Sequence, residues 1–228
     1  MSWKERSSFN SKRSLNSGDG QPAEVAEFKI VMVGTMGVGK TSLAARYVKD
    51  TYREFVNPTI GASYLWRKER IDEKEVKFSI WDTAGQEQFY ALVPMYFRDA
   101  EAVILVVDVT RDTCEDEAML WLEKVKQSAP STALVFLTLN KVDMEGERVY
   151  TLESAEHFCR SASSFRMHAA EVSAKTGDGV HDLFDTIGRA CLNKNSSDKP
   201  GDSKSKETVR LKNERSKDER GGEKKCPC

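Results

Sequence analysis

Apolar and polar positions keep two rhythms between Phe28 and Leu192. Phe28–Val33, Ala102–Val107 and Leu134–Leu139 are short apolar runs that predict buried strands, and Met167–Val172 predicts another. Tyr64–Ile71 and Val76–Trp81 alternate in the manner of paired strands. Leu43–Val48, Ala118–Gln127, Leu152–Cys159 and Val180–Leu192 carry apolar residues at helical spacing. Strands that are apolar throughout, separated by amphipathic helices, imply an α/β fold. The expected core is a six-stranded, mostly parallel sheet with helices on both faces. Ligands of such sheets bind beyond the carboxyl ends of the strands. The residues that directly follow each strand are therefore where chemistry is expected.

Outside this span the pattern stops. Met1 to Glu27 holds six serines and few apolar side chains, and Val209 and Leu211 are almost the only aliphatics beyond Asn193. Such segments bury too little surface to offset chain entropy. The expected organisation is a disordered extension over 1–26, one folded domain over 27–193, and a disordered tail over 194–228. Net charge is −1 overall, but it divides into 0 up to Glu27, −5 from Phe28 to Leu192 and +4 from Asn193 onward. That balance argues against a nucleic-acid partner and suits a tail near an anionic membrane surface. The five cysteines form neither a disulfide framework nor a metal-ligand spacing, as expected in a reducing compartment. The polar N-terminus has no signal-peptide core, and no apolar run is long enough to span a bilayer. Membrane contact would need an anchor.

Four strand ends carry recognisable chemistry. Gly34-Thr35-Met36-Gly37-Val38-Gly39-Lys40-Thr41 fits G-x-x-x-x-G-K-[ST] between the first strand and the first helix. Glycines let the N–H groups of Gly34, Gly37, Val38, Gly39 and the helix start through Ser42 curl around phosphate oxygens. The helix N-terminus adds a favourable dipole. Lys40 can reach the β- and γ-phosphates, and the Thr41 hydroxyl can ligate Mg²⁺. Asp82-Thr83-Ala84-Gly85-Gln86 follows the Val76–Trp81 strand. Asp82 can hold Mg²⁺ directly or through water, the Gly85 N–H can sense a γ-phosphate, and Gln86 can orient an attacking water. Thr59, in a polar loop between these motifs, can complete the Mg²⁺ shell in one nucleotide state only, which makes its loop a switch. Asn140-Lys141-Val142-Asp143 follows the next apolar strand. The Asp143 carboxylate can accept from N1–H and the 2-amino group of guanine, donors that adenine lacks. Ser173-Ala174-Lys175 follows the last strand and offers a backbone N–H and an aliphatic lysine stem to the base.

Over about Glu27 to Leu192 the chain resembles a Ras-superfamily GTPase, and within it the Rab proteins. Trp81-Asp82-Thr83-Ala84-Gly85-Gln86-Glu87-Gln88-Phe89 matches the Rab W-D-T-A-G-Q-E-R-F save that Gln88 replaces Arg. Ile60-Gly61-Ala62-Ser63-Tyr64 resembles the effector-loop motif. Pro94-Met95-Tyr96-Phe97-Arg98-Asp99-Ala100 resembles P-M-Y-Y-R-G-A, with Phe97 and Asp99 as departures. The wording is most similar to the early-endosomal branch.

The resemblance implies a P-loop G domain that turns over GTP slowly, with Gln86 and Lys40 catalytic and Mg²⁺ and GTP or GDP bound. It implies that Tyr52 meets the guanine edge, and that Ile60, Gly61, Tyr64, Trp81 and Tyr96 meet effectors. Cys226-Pro227-Cys228 resembles the Rab C-x-C end, in which both cysteines are geranylgeranylated; one lipid alone anchors only marginally. The implied partners are an exchange factor, a GTPase-activating protein, a GDP-dissociation inhibitor, an escort protein with its geranylgeranyl transferase, and effectors of the GTP state. The implied place is the cytoplasmic face of intracellular membranes, endosomes in particular, with a cytosolic pool, for a monomer regulating vesicle transport.

Met36 departs from the small residue usual beside the γ-phosphate, and its bulk is expected to crowd an incoming arginine and slow hydrolysis. It alone favours the alternative, a nucleotide-binding scaffold with impaired turnover. Asp143 speaks against an ATPase or kinase, and the C-x-C end against a Ras-like signalling role. His157, His168 and His181 share no metal-like spacing.

Overall fold

The computed structural model describes residues 25–162 and 165–197. The elements run β1 (Ala26–Val33), α1 (Lys40–Lys49), β2 (Ala62–Ile71), β3 (Lys74–Thr83), α2 (Val93–Phe97), β4 (Ala102–Asp108), α3 (Cys114–Ser128), β5 (Leu134–Asn140), α4 (Leu152–Ser161), β6 (Met167–Glu171) and α5 (Val180–Ser197). One sheet forms, in the order β2-β3-β1-β4-β5-β6. Only β2 is antiparallel to its neighbour; every other pairing is parallel.

The apolar strands divide their side chains between two cores, because successive residues point to opposite faces. Phe28, Ile30 and Met32 of β1 join Ile104 and Val106 of β4 on one face. There they meet Leu43 and Tyr47 of α1 and Leu183, Phe184 and Ile187 of α5. Val31, Val33, Leu105 and Val107 point the other way, onto Phe97 of α2, Trp121 and Val125 of α3 and Phe158 of α4. Tyr47 stacks on Phe184 with ring centroids 3.5 Å apart. Where α5 crosses the sheet, Gly188 lets it approach closely: a Cβ there would lie 2.0 Å from Ile71 Cδ1 and 3.0 Å from Phe78 Cζ. Gly188→Ala is expected to destabilise the domain by about 1–3 kcal/mol through overpacking, read as a lowered denaturant midpoint. An unchanged midpoint would mean that α5 sits less tightly than these contacts require.

The elements differ from the sequence expectations at their edges. The segment after Gln86, to which the apolar pattern assigns no element, winds into a 3-10 turn over Glu87–Leu92 and then α2. Both are too short to leave a periodic signature, and Pro94 sits in the first turn of α2, where its missing N–H costs nothing. Helix α3 begins at Cys114, four residues before Ala118, with Glu115, Asp116 and Glu117 in its first turn. Acids there favour the helix through its dipole, not through apolar spacing. Helix α5 continues through Lys194 to Ser197, past the boundary expected at 193. The expectations for 1–24 and for 198–228, including Cys226 and Cys228, fall outside the described residues. Among the described residues no helix is long and apolar enough to cross a membrane.

Candidate functional site

The site is built where β1, β3, β4, β5 and β6 end. Gly34, Gly37 and Gly39 all adopt positive φ between β1 and α1. Gly39, at φ 98°, is the tightest of these: a Cβ would lie 2.2 Å from Asn140 Nδ2. The loop curls around the Lys40 ammonium, which donates to the carbonyls of Gly34 (2.7 Å) and Thr35 (3.0 Å). Lys40 is 6% exposed. Burial pulls its pKa down to about 8, against the attraction of Asp82. Phosphate oxygens beside it would favour its charged form further.

Three hard oxygen donors meet next to it. Thr41 Oγ1 donates to Asp82 Oδ2 at 2.7 Å and lies 2.9 Å from Thr59 Oγ1. The other carboxylate oxygen, Asp82 Oδ1, is buried without a hydrogen-bond partner. Burial pushes the Asp82 carboxyl above its ordinary pKa, while the Thr41 hydroxyl and Lys40 oppose the shift. An orphaned carboxylate oxygen beside two hydroxyls fits Mg²⁺, a hard cation that keeps several waters and bridges protein oxygens to phosphates. No cluster of three His, Cys, Asp or Glu forms among the described residues, so the donors suit a phosphate-sharing ion and not an all-protein metal cage.

A cavity of about 200 Å³ opens over this group, lined by Met36, Gly39, Lys40, Thr59, Gly85 and Gln86 among others. Glu54, Val56, Asn57 and Pro58 close one side of it. Two loops that sequence reading treated as separate motifs therefore share one wall.

The base loops are tied to the phosphate loop through Asn140. Its Nδ2 donates to Val38 O at 2.8 Å and its Oδ1 accepts from Ala174 N at 3.0 Å. Asn140 is fully buried. Asp143 Oδ1 accepts from Ser173 Oγ at 2.6 Å, and Ser173 Oγ also accepts from Thr176 N. The Lys175 ammonium, itself exposed, lies 4.0 Å from Asp143 Oδ2. Lys141 adopts a left-handed φ of 70° and reaches Asp108 Oδ2 at 2.5 Å. Tyr52 is exposed on the loop after α1 and is not among the residues lining the cavity.

Asp108, Arg111 and Arg46 were not singled out by the sequence. Asp108 ends β4 directly beside Asn140 of β5. Burial raises its carboxyl, but Lys141 and Thr110 outweigh burial and hold it below its ordinary pKa. Arg111 pairs with Glu117 and donates to Met36 O at 3.0 Å, bracing the phosphate loop from outside. Arg46 donates to the carbonyls of Ala174 and Lys175 and so braces the base loop. An acid closing an apolar strand was a readable signal for Asp108; nothing local marks the two arginines.

On the outer face, Tyr64 of β2 pairs in register with Trp81 of β3, and their rings meet edge to face at 5.4 Å. Tyr96 of α2 lies 5.7 Å from Trp81, and the Lys29 ammonium sits 5.3 Å over the indole. Ile60 is 83% exposed beside this cluster in sequence, and Gly61 accepts from Ala84 N. Three aromatics far apart in sequence form one surface. By contrast, Trp121 is fully buried, and all three histidines are exposed and separate.

Residues 29–193 match the model of the Ras family. The chain is 38% identical over 161 residues to the Ras-related protein RABF2a of Arabidopsis thaliana, covering 71% of this chain and 79% of the relative.

Proposed function

The chain belongs to the Ras family of small GTPases and is of the Rab type, and from that premise we propose that it cycles between GDP and GTP states to direct traffic at endosomal membranes. It is a GTPase of the trafficking class. The finer reading assigns roles within the site. Gln86 orients a water for in-line attack on the γ-phosphate, and Lys40 offsets charge gathering on the phosphates. Thr41, Thr59 and Asp82 would hold Mg²⁺, whose chemistry is to neutralise the phosphate oxygens. Asp143, Asn140, Lys141 and the Ser173–Lys175 loop select guanine. Thr59 and Gly85 respond to the γ-phosphate, and Tyr64, Trp81 and Tyr96 present the effector surface beside them.

The observation that supports this most is the single cavity lined by the phosphate loop, Thr59, Gly85 and Gln86, with Asp82 hydrogen-bonded to Thr41 of that lining. A change at the phosphate is thereby felt in both switch loops at once. Exchange factor, GTPase-activating protein, GDP-dissociation inhibitor and prenylation machinery follow as partners of such a cycle, and Cys226 and Cys228 would carry two lipids. Cell fractionation tests the membrane half. Gln86→Leu protein is expected with endosomal membranes, and the Cys226→Ser/Cys228→Ser variant in the soluble fraction. A doubly substituted chain that still sediments with membranes would overturn the lipid anchor.

A further inference from the structure

Two residues that depart from the family wording around the active site, Met36 and Gln88, both touch Gln86. Gln86 Nε2 donates to Met36 Sδ at 3.5 Å, and Gln86 Oε1 accepts from Gln88 Nε2 at 2.6 Å. The thioether can only accept, so the amide must turn its NH₂ toward Met36 and its oxygen toward Gln88. Both ends of the amide are thus engaged by the protein. Met36 is itself fixed from behind, because its carbonyl accepts from Arg111, and Arg111 is held by Glu117 and Asp108. The chain of contacts runs from the start of α3 to the residue that orients water.

We propose that Met36 and Gln88 form a clamp that holds Gln86 out of its water-orienting position and so prolongs the GTP state. To act on a water, Gln86 must offer its oxygen to the water and its N–H to a phosphate oxygen. Here both groups are turned elsewhere, and turnover waits for their release. Neither contact is strong: one is a weak bond to sulfur and the other is a solvent-exposed bond from half-buried Gln86 to exposed Gln88. A weak clamp delays hydrolysis without preventing it. Met36 and Gln88 are positioning residues, since they act only through Gln86. The proposal rests on the reading of Gln86 as the water-orienting residue.

Single-turnover hydrolysis by the full chain, loaded with GTP and started with Mg²⁺, tests it. Met36→Leu keeps the bulk and removes the acceptor; Gln88→Ala removes the other hold. If the clamped form dominates, each is expected to raise the intrinsic rate, up to about 10-fold for a clamp populated nine-tenths of the time. The gain should vanish when Gln86→Leu is added. Unchanged or slower turnover in both single variants, with Gln86→Leu still abolishing it, would overturn the clamp and leave the role of Gln86 standing. A gain that survives Gln86→Leu would overturn the role of Gln86 and the clamp with it.

Discussion

Asp143→Asn is expected to cut the affinity for GDP and GTP by about 10³-fold or more and to create binding of xanthine nucleotides. The effect follows from matching donors to acceptors. The Asp143 carboxylate is held by Ser173 Oγ through Oδ1, which fixes the plane of the carboxyl group. Guanine offers two donors, N1–H and the 2-amino group, and only a carboxylate accepts both. An asparagine replaces one acceptor with an NH₂ donor that faces the 2-amino group, leaving polar groups unpaired on both sides. Sites built to hydrogen-bond a ligand reject a mismatched partner by roughly 10⁴–10⁵. Xanthine carries an oxygen where guanine carries the amino group, so the same substitution pairs correctly with it. Competition binding with GDP, XDP and ADP reads the change. Retained GDP preference would remove Asp143 from the base pocket; a gain for ADP would contradict the donor–acceptor assignment.

The second large effect is expected at Asn140. Its side chain closes the only direct side-chain link described between the phosphate loop, at Val38 O, and the base loop, at Ala174 N. Asn140→Ala leaves a buried carbonyl and a buried N–H without partners. Each orphaned group costs about 1–3 kcal/mol, so the two together cost about 2–6 kcal/mol, and a loss of about 3 kcal/mol lies within that range. For a domain of this size that corresponds to a fall in Tm of about 6–12 °C. Nucleotide affinity should fall as well, because the two loops lose their common reference. Calorimetry of the variant with and without added GDP separates the two effects. A Tm within a degree of the parent would show that neighbouring groups replace the lost bonds.

What was legible in the sequence followed physical strength. Strands β1, β4 and β5 are largely buried, so they read as apolar runs, and Gly34–Thr41 and Asn140–Asp143 lie at the ends of β1 and β5. Edge position hid more. Strand β6 is only half buried, and β2 exposes Tyr64 and Trp66, so neither is apolar throughout. Helix α2 and the 3-10 turn before it are stabilised by tertiary packing of Val93 and Phe97, not by local pattern. Asp82 and Asp143 were readable because a strand end and a short motif mark them. Arg111 and Arg46 were not, because their importance lies in carbonyls 75 and 128 residues away. The contact between Met36 and Gln86 joins two motifs separated by 50 residues. Sequence reading noticed both residues and missed that they meet.

The most direct measurement is phosphate release from full-length protein loaded with GTP and started with Mg²⁺, after the nucleotide that co-purifies has been identified. The expected result is a bound guanine nucleotide and slow, Mg²⁺-dependent release that Gln86→Leu abolishes. Bound guanine nucleotide with no release, even when a Rab GTPase-activating protein is added, would contradict a cycling switch and leave a nucleotide-holding scaffold in its place.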